Sequence, residues 1–326
     1  MLAACSGSIE QSAADPSLSP GGPSNGNGSG RGPGNGALGG TGAGAAGSGA
    51  ANAGAGADAE YVASASVARR LSRAEIDNVL RDMLGDDTGP ATRLLAEDLF
   101  SPFDNDYASQ VASGALIDSL EVLAGDVAKR VLADPALRTG LVPCTPTGPG
   151  DAACFRRVSE AFLRRAFRRP VTAAEVDPYM TLLSFATETT PDVDNDFYTA
   201  VELLVRSVLQ DPEWLYRIEI GTPTQEATVL GLNGYEIAGR MSFLLWGSAP
   251  DDELLKDAGA GMLGDDDTRR TIAEQMLADP RAKAQLHRFH AMWLGYRALP
   301  HPPALTSAFQ RETDALLDRV IFEEQR

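Results

Sequence analysis

Read as a succession of apolar and polar positions, the chain changes character near residue 58. Beyond it, Ile76, Val79, Leu80, Met83 and Leu84 recur at three- and four-residue intervals, as do Ile237, Met241, Leu244 and Leu245. That spacing sets each group on one stripe of an α-helix, the stripe a globular helix buries. The helix starts carry their own chemistry. Ser72-Arg-Ala-Glu75, Thr172-Ala-Ala-Glu175 and Asn233-Gly-Tyr-Glu236 each place an oxygen-bearing cap three residues before a Glu. Both side chains can then satisfy backbone N–H groups that the first turn leaves free. Three Leu-x-Asp-Pro joints, Leu132–Pro135, Leu209–Pro212 and Leu277–Pro280, end one helix and start the next. Proline disfavours helical geometry in the residue before it yet suits a first turn, and Asp is a good cap. The joints are 77 and 68 residues apart, too far and too unequal for a solenoid repeat.

Alternating Val, Ile and Thr runs are few, so strands are not expected. The pattern predicts an all-α, multi-helix globular body, with helices near 72–84, 110–133, 152–168, 173–188, 195–210, 234–246, 268–278, 281–295 and 308–324. It divides into helical modules at 59–143, 144–191 and 192–326.

The first 58 residues are different. Residues 6–58 hold 17 of the 33 glycines and only Ile9, Leu18 and Leu38 as large apolar side chains. Such a stretch cannot bury a core and is expected to be a disordered linker, with an end-to-end distance of about 40 Å. Ahead of it, Leu2-Ala3-Ala4-Cys5 has the form of a bacterial lipobox, in which Cys5 would carry acyl chains. Only Met1 precedes it, where an export signal needs a charged and then an apolar segment, so the assigned start is expected to lie too far downstream. An anchored Cys followed by a spacer suits a domain held off a membrane surface, lipid-anchored to the outer membrane or cell surface and otherwise periplasmic. The alternative is a disordered terminus without an anchor.

Charge narrows the partners. With 28 basic and 45 acidic side chains the formal balance is −17, and nucleic-acid binding, which needs a basic surface, is not expected. Cys144 and Cys154 flank a turn-rich Thr-Pro-Thr-Gly-Pro-Gly-Asp-Ala-Ala segment. In an exported chain a disulfide between them is expected, with two buried free thiols as the other reading. No C-x-x-C-H is present to attach a c-type haem.

Longer composite motifs carry a resemblance. Arg70–Gly85 (RLSRAEIDNVLRDMLG) with Pro102-Phe-Asp-Asn105, Leu163–Thr172 (LRRAFRRPVT), Leu209–Glu219 (LQDPEWLYRIE), Tyr235–Leu255, Asp279-Pro-Arg281 and Met292-Trp-Leu294 resemble the domain of unknown function 1592 family, with its associated modules 1587 and 1595. The likeness covers about residues 69–322. It implies an exported protein of a Gram-negative bacterium, of a kind often fused to or encoded beside c-type cytochrome domains. No activity or catalytic residue comes with it. Relatives usually continue through further modules, so the chain is expected to be C-terminally truncated.

Candidate sites are sparse. Six arginines lie between Arg156 and Arg169, opposed only by Glu160. Arg156, Arg164 and Arg168 would flank Glu160 on one helix face. Arg164, Arg168 and Arg240 are the candidates for an anionic ligand such as a carboxylate, sulfate or haem propionate. Pairing with neighbouring carboxylates is the plainer reading. His287 and His290, three apart, are the metal or haem-iron candidates, without an evident third ligand. Asp192-Val-Asp-Asn-Asp196 begins like a calcium loop but has Phe197 at the sixth position and Leu203 at the twelfth, so Asp194 as a helix cap explains it better. Trp214, Trp246 and Trp293 are expected as core anchors. No G-x-S-x-G occurs, and no cofactor is identified. The expected function is a cell-envelope lipoprotein of unknown activity, an accessory or interaction module of an exported cytochrome-associated system. The alternative is an exported enzyme or redox accessory binding an anionic ligand or haem.

Overall fold

The computed structural model describes residues 68–98, 102–106, 110, 112–189, 191, 194–225 and 229–323. All belong to one compact unit, Tyr61–Arg326. Cys5 and the linker at 6–58 lie outside the described residues. Among those described, no helix is long and apolar enough to cross a membrane.

Each of the three Ser, Thr or Asn boxes starts a helix. Ser72 caps α1 (Arg73–Leu84), Thr172 caps α6 (Ala173–Met180) and Asn233 caps α9 (Gly234–Leu245), each with the reciprocal Glu bond formed. The Asp-Pro joints behave alike: Asp134, Asp211 and Asp279 cap α4 (Pro135–Leu141), α8 (Pro212–Leu215) and α12 (Pro280–Trp293) with their carboxylates. Between these come α2 (Pro90–Leu94), α3 (Gly114–Ala133), α5 (Ala152–Ala166), α7 (Phe197–Val208), α10 (Asp252–Gly259), α11 (Asp266–Leu277) and α13 (Pro303–Leu317). The body is all-α. Two-residue strands form two small antiparallel pairs, β1 (Arg69–Arg70) with β2 (Tyr216–Arg217), and β3 (Thr222–Pro223) with β4 (Leu230–Gly231).

Several details differ from the pattern; the helix expected over 308–324, for one, runs Pro303–Leu317 and continues as a π turn over Asp318–Glu323. The helix expected over 173–188 ends at Met180 and continues as 3-10 turns over Thr181–Thr187. Pro178, inside it, has no N–H for the ladder and crowds the preceding turn. The cap of α7 is Asp196 rather than Asp194: its carboxylate accepts from the Tyr198 and Thr199 N–H groups, and Thr199 returns the bond. The apolar face there starts at Phe197, which is buried with Ala200, Val201, Leu204 and Val205. In α9 the buried positions are Ala238, Ser242 and Phe243, while Leu244 is 74% exposed. Phe243 is drawn instead into the core of the preceding modules.

That core is one continuous cluster running from Leu71 to Leu215 and joined by Phe243. A second, smaller cluster gathers Ala238, Trp246, Leu254, Leu263, Ile272 and Met276 from α9 to α11. The approach of α9 to α10 is close enough to need Gly234, because a Cβ there would meet the Ala258 carbonyl oxygen at 2.6 Å. Cys144 and Cys154 are joined in a disulfide that ties the loop after α4 to the first turn of α5.

Polar links tie the third module back to the first. Asp104, 1% exposed, accepts from Arg288 and Arg297, and Arg288 also donates to the Ser72 hydroxyl. The Asn78 amide donates to the Gly247 carbonyl at 3.1 Å.

Candidate functional site

The six arginines of α5 and its exit meet neighbouring carboxylates and carbonyls. Arg156 pairs with Asp177 at 2.7 Å and Arg164 with Asp252 at 2.5 Å; Arg165 reaches Asp252 and the Met83 carbonyl. Arg169 binds Glu175 and Glu213. Glu175, which also accepts the Thr172 N–H, is held down at about 2, first by the Arg169 bond.

Arg168 is not on the face of Arg156 and Arg164. Helix α5 ends at Ala166, and Arg168 lies beyond it with φ +59°, the left-handed region that glycine usually supplies. Holding a residue with a Cβ there costs about 1–2 kcal/mol. The compensation is visible: its guanidinium donates to the carbonyls of Glu213, Trp214 and Tyr216 at 2.5, 3.0 and 2.8 Å. It is a buried clasp closing the end of α8. Burial pulls its pKa down to about 10, with Glu213 opposing the fall and the nearby Arg217 charge adding to it.

Arg168 and Arg240 line a common cavity of about 310 Å³ between the exit of α5, β2 with the segment after it, and α9. Arg164 is not among its lining residues. Arg240 presents its Nε and Nη2 to the two oxygens of Glu219, both at 2.7 Å, a bidentate fork. Glu236 spends its carboxylate on the N–H groups of Ile220, Gly221 and Asn233. Glu213 is taken by Arg169. One cation in the wall is different. Arg217, which sequence reasoning did not single out, has a guanidinium 5.1 Å over the Phe243 ring, and its Nε and Nη2 are buried without a hydrogen-bond partner.

A second cavity, about 320 Å³, lies where α1 meets the turn before α10. Its charges satisfy one another: Arg281 bonds Asp279 and Asp251 and stacks 3.6 Å over the Trp246 ring.

The two histidines have separate partners. His287 Nε2 lies 2.7 Å from Asp318, and His290 Nδ1 donates to the Leu286 carbonyl at 2.8 Å. Among the described residues no group of three or more His, Cys, Asp or Glu is arranged to hold a metal ion. Asp192 lies outside the described residues. Trp214 and Trp246 are buried, whereas Trp293 is 59% exposed beside Phe289 and His290.

Three family models match in chain order. Residues 69–133 match PSD3, a protein of unknown function (DUF1587); 154–219 match PSD5, a protein of unknown function (DUF1595); 232–326 match PSD4, a protein of unknown function (DUF1592). The chain carries a DUF1592 module together with the associated DUF1587 and DUF1595 modules. No curated protein and no solved structure matches it. The DUF1587 match covers α1 to α3, the DUF1595 match runs from the start of α5 through β2, and the DUF1592 match begins just before α9. The 310 Å³ cavity therefore lies between the second and third modules, with Arg168 and Arg217 from one and Arg240 from the other.

Proposed function

We propose that this chain is a lipid-anchored protein of the bacterial cell envelope, an accessory or interaction module of an exported cytochrome-associated system. The observation that carries the reading is the bridged Cys144–Cys154 pair. Disulfides persist in oxidising compartments and are rare in the cytosol of mesophiles, so a bridge in this loop fits a body folded after export. The Leu2-Ala-Ala-Cys5 sequence and the glycine-rich residues 6–58 supply an anchor and a tether.

An accessory role is favoured over the catalytic or haem-binding alternative by the state of the three arginines on which the latter depends. Arg164 and Arg240 are held by Asp252 and Glu219, and Arg168 by three carbonyls.

The test is metabolic labelling with an alkyne fatty acid in a Gram-negative host, using the chain behind a complete export signal. Labelled protein in the membrane fraction, with label and membrane partition both lost in Cys5→Ala, is the expected outcome. An unlabelled chain, or a partition unchanged by the substitution, would overturn the anchor. Co-purification of a haem-staining protein from native membranes tests the cytochrome association; a preparation without haem would remove that part.

A further inference from the structure

The cavity between the second and third modules contains four arginines and three glutamates in its wall, which makes it locally positive by one charge in a chain that is formally −17. Every one of the glutamates is committed. Glu219 is held by the Arg240 fork, Glu213 by Arg169, and Glu236 by three backbone N–H groups. Arg168 is likewise committed to carbonyls. What is left over is the Nε–Nη2 edge of Arg217, buried and without a partner. Leaving two donors of a guanidinium buried and unbonded is costly, and native structures rarely tolerate it without a ligand, an ion or water.

The same pocket shows what such an edge accepts. Arg240 uses its own Nε and Nη2 to hold a carboxylate, one oxygen to each nitrogen. Arg217 lines the cavity together with Phe167, Ile218, Tyr235 and Phe243. On the α9 side stands Gly239, mid-helix, where an added Cβ would meet nothing within 4 Å. Glycine there costs about 1 kcal/mol of helix propensity relative to alanine, and no crowding explains it; its effect is to leave the cavity open.

We infer that this cavity is a binding site for a small monocarboxylate with an aromatic or branched apolar body, held bidentately by Arg217. One negative charge matches the single excess cation of the wall, whereas a dianion such as hydrogen phosphate exceeds it. At about 310 Å³ the cavity stands at the small end of ligand sites, which run from roughly 300 to 1,000 Å³. The site is independent of the anchor and of any cytochrome partner, so its failure and theirs are separable.

Titration of the purified full chain with sodium benzoate, followed by calorimetry and saturation-transfer NMR, tests the inference. Saturable binding is expected, with benzamide and inorganic phosphate each at least about tenfold weaker. Arg217→Gln and Arg217→Lys should both weaken benzoate about tenfold or more, the second because it keeps the charge and loses the fork. Gly239→Leu should abolish binding by filling the cavity while leaving every charge in place, and its higher helix propensity guards against unfolding. Circular dichroism and melting curves that match the parent establish that each variant is folded. Absence of saturable benzoate binding, equal affinity in folded Arg217→Gln, or phosphate binding as tightly as benzoate would overturn the assignment.

Discussion

The Asp104 carboxylate is where the third module is fastened to the first, and removing its charge gives the sharpest stability test. Both of its oxygens lie 2.6 Å from Arg288 Nη2, and Arg297 Nη1 donates at 2.9 Å, with the Asp104 side chain 1% exposed. Asp104→Asn keeps the shape but leaves two guanidinium groups facing a neutral acceptor. Breaking a fully buried pair costs about 3–5 kcal/mol. Here the arginines are 19% and 31% exposed, so water recovers part of that and the expected loss is about 2–3 kcal/mol. At roughly 2 °C per kcal/mol for a domain of this size, Tm should fall by about 4–6 °C. Differential scanning calorimetry of Asp104→Asn, Arg288→Ala and the double variant is the assay. The double variant should lose clearly less than the sum of the singles, because both break one contact. Additive losses, or an Asp104→Asn chain within about 0.5 kcal/mol of the parent, the ordinary surface-substitution range, would refute the reasoning.

Other expectations follow from single features. Replacing Cys144 and Cys154 together by Ser opens a loop whose closing residues are ten apart, and should cost about 2.8 kcal/mol by chain entropy, read as a lower urea midpoint. Gly234→Ala should destabilise by more than 1 kcal/mol, because its Cβ drives α9 off the Ala258 carbonyl; an unchanged melting curve would contradict this. Acid should unfold the body in part through Asp86. Burial pushes that carboxyl up, but hydrogen bonds from Arg130 and Thr88 outweigh it and hold the pKa below its ordinary value. The stability this gives is present above the unfolded carboxylate range and lost as pH falls through the folded value, so Asp86→Asn should flatten the decline below about pH 4.

Much of the fold was legible because it is written locally. Ser72-x-x-Glu75 and Asp279-Pro280 state a helix start within four residues, and each forms one whatever packs on it later. The disulfide is also local, spanning one turn-rich loop. Tertiary choices were not legible. Periodicity in α9 put Leu244 on the buried stripe and left Phe243 off it, and only the pull of the first core decides for Phe243. Arg168 looked like a helix-face residue because nothing nearby announces that its backbone turns left-handed to reach three carbonyls some 45 residues on. Arg217 gave no signal at all: it sits in a two-residue strand, and its importance is a matter of which partners the other charges in the cavity have taken.

Export is reported most directly by the oxidation state of Cys144 and Cys154 in the native cell. Native cells would be lysed into excess iodoacetamide without reductant, and the chain digested and its cysteine peptides weighed. An exported body should yield a Cys144–Cys154 cross-linked peptide, lighter by two hydrogens and carrying no alkyl group on either cysteine. Full alkylation of both thiols before any reductant is added would contradict it.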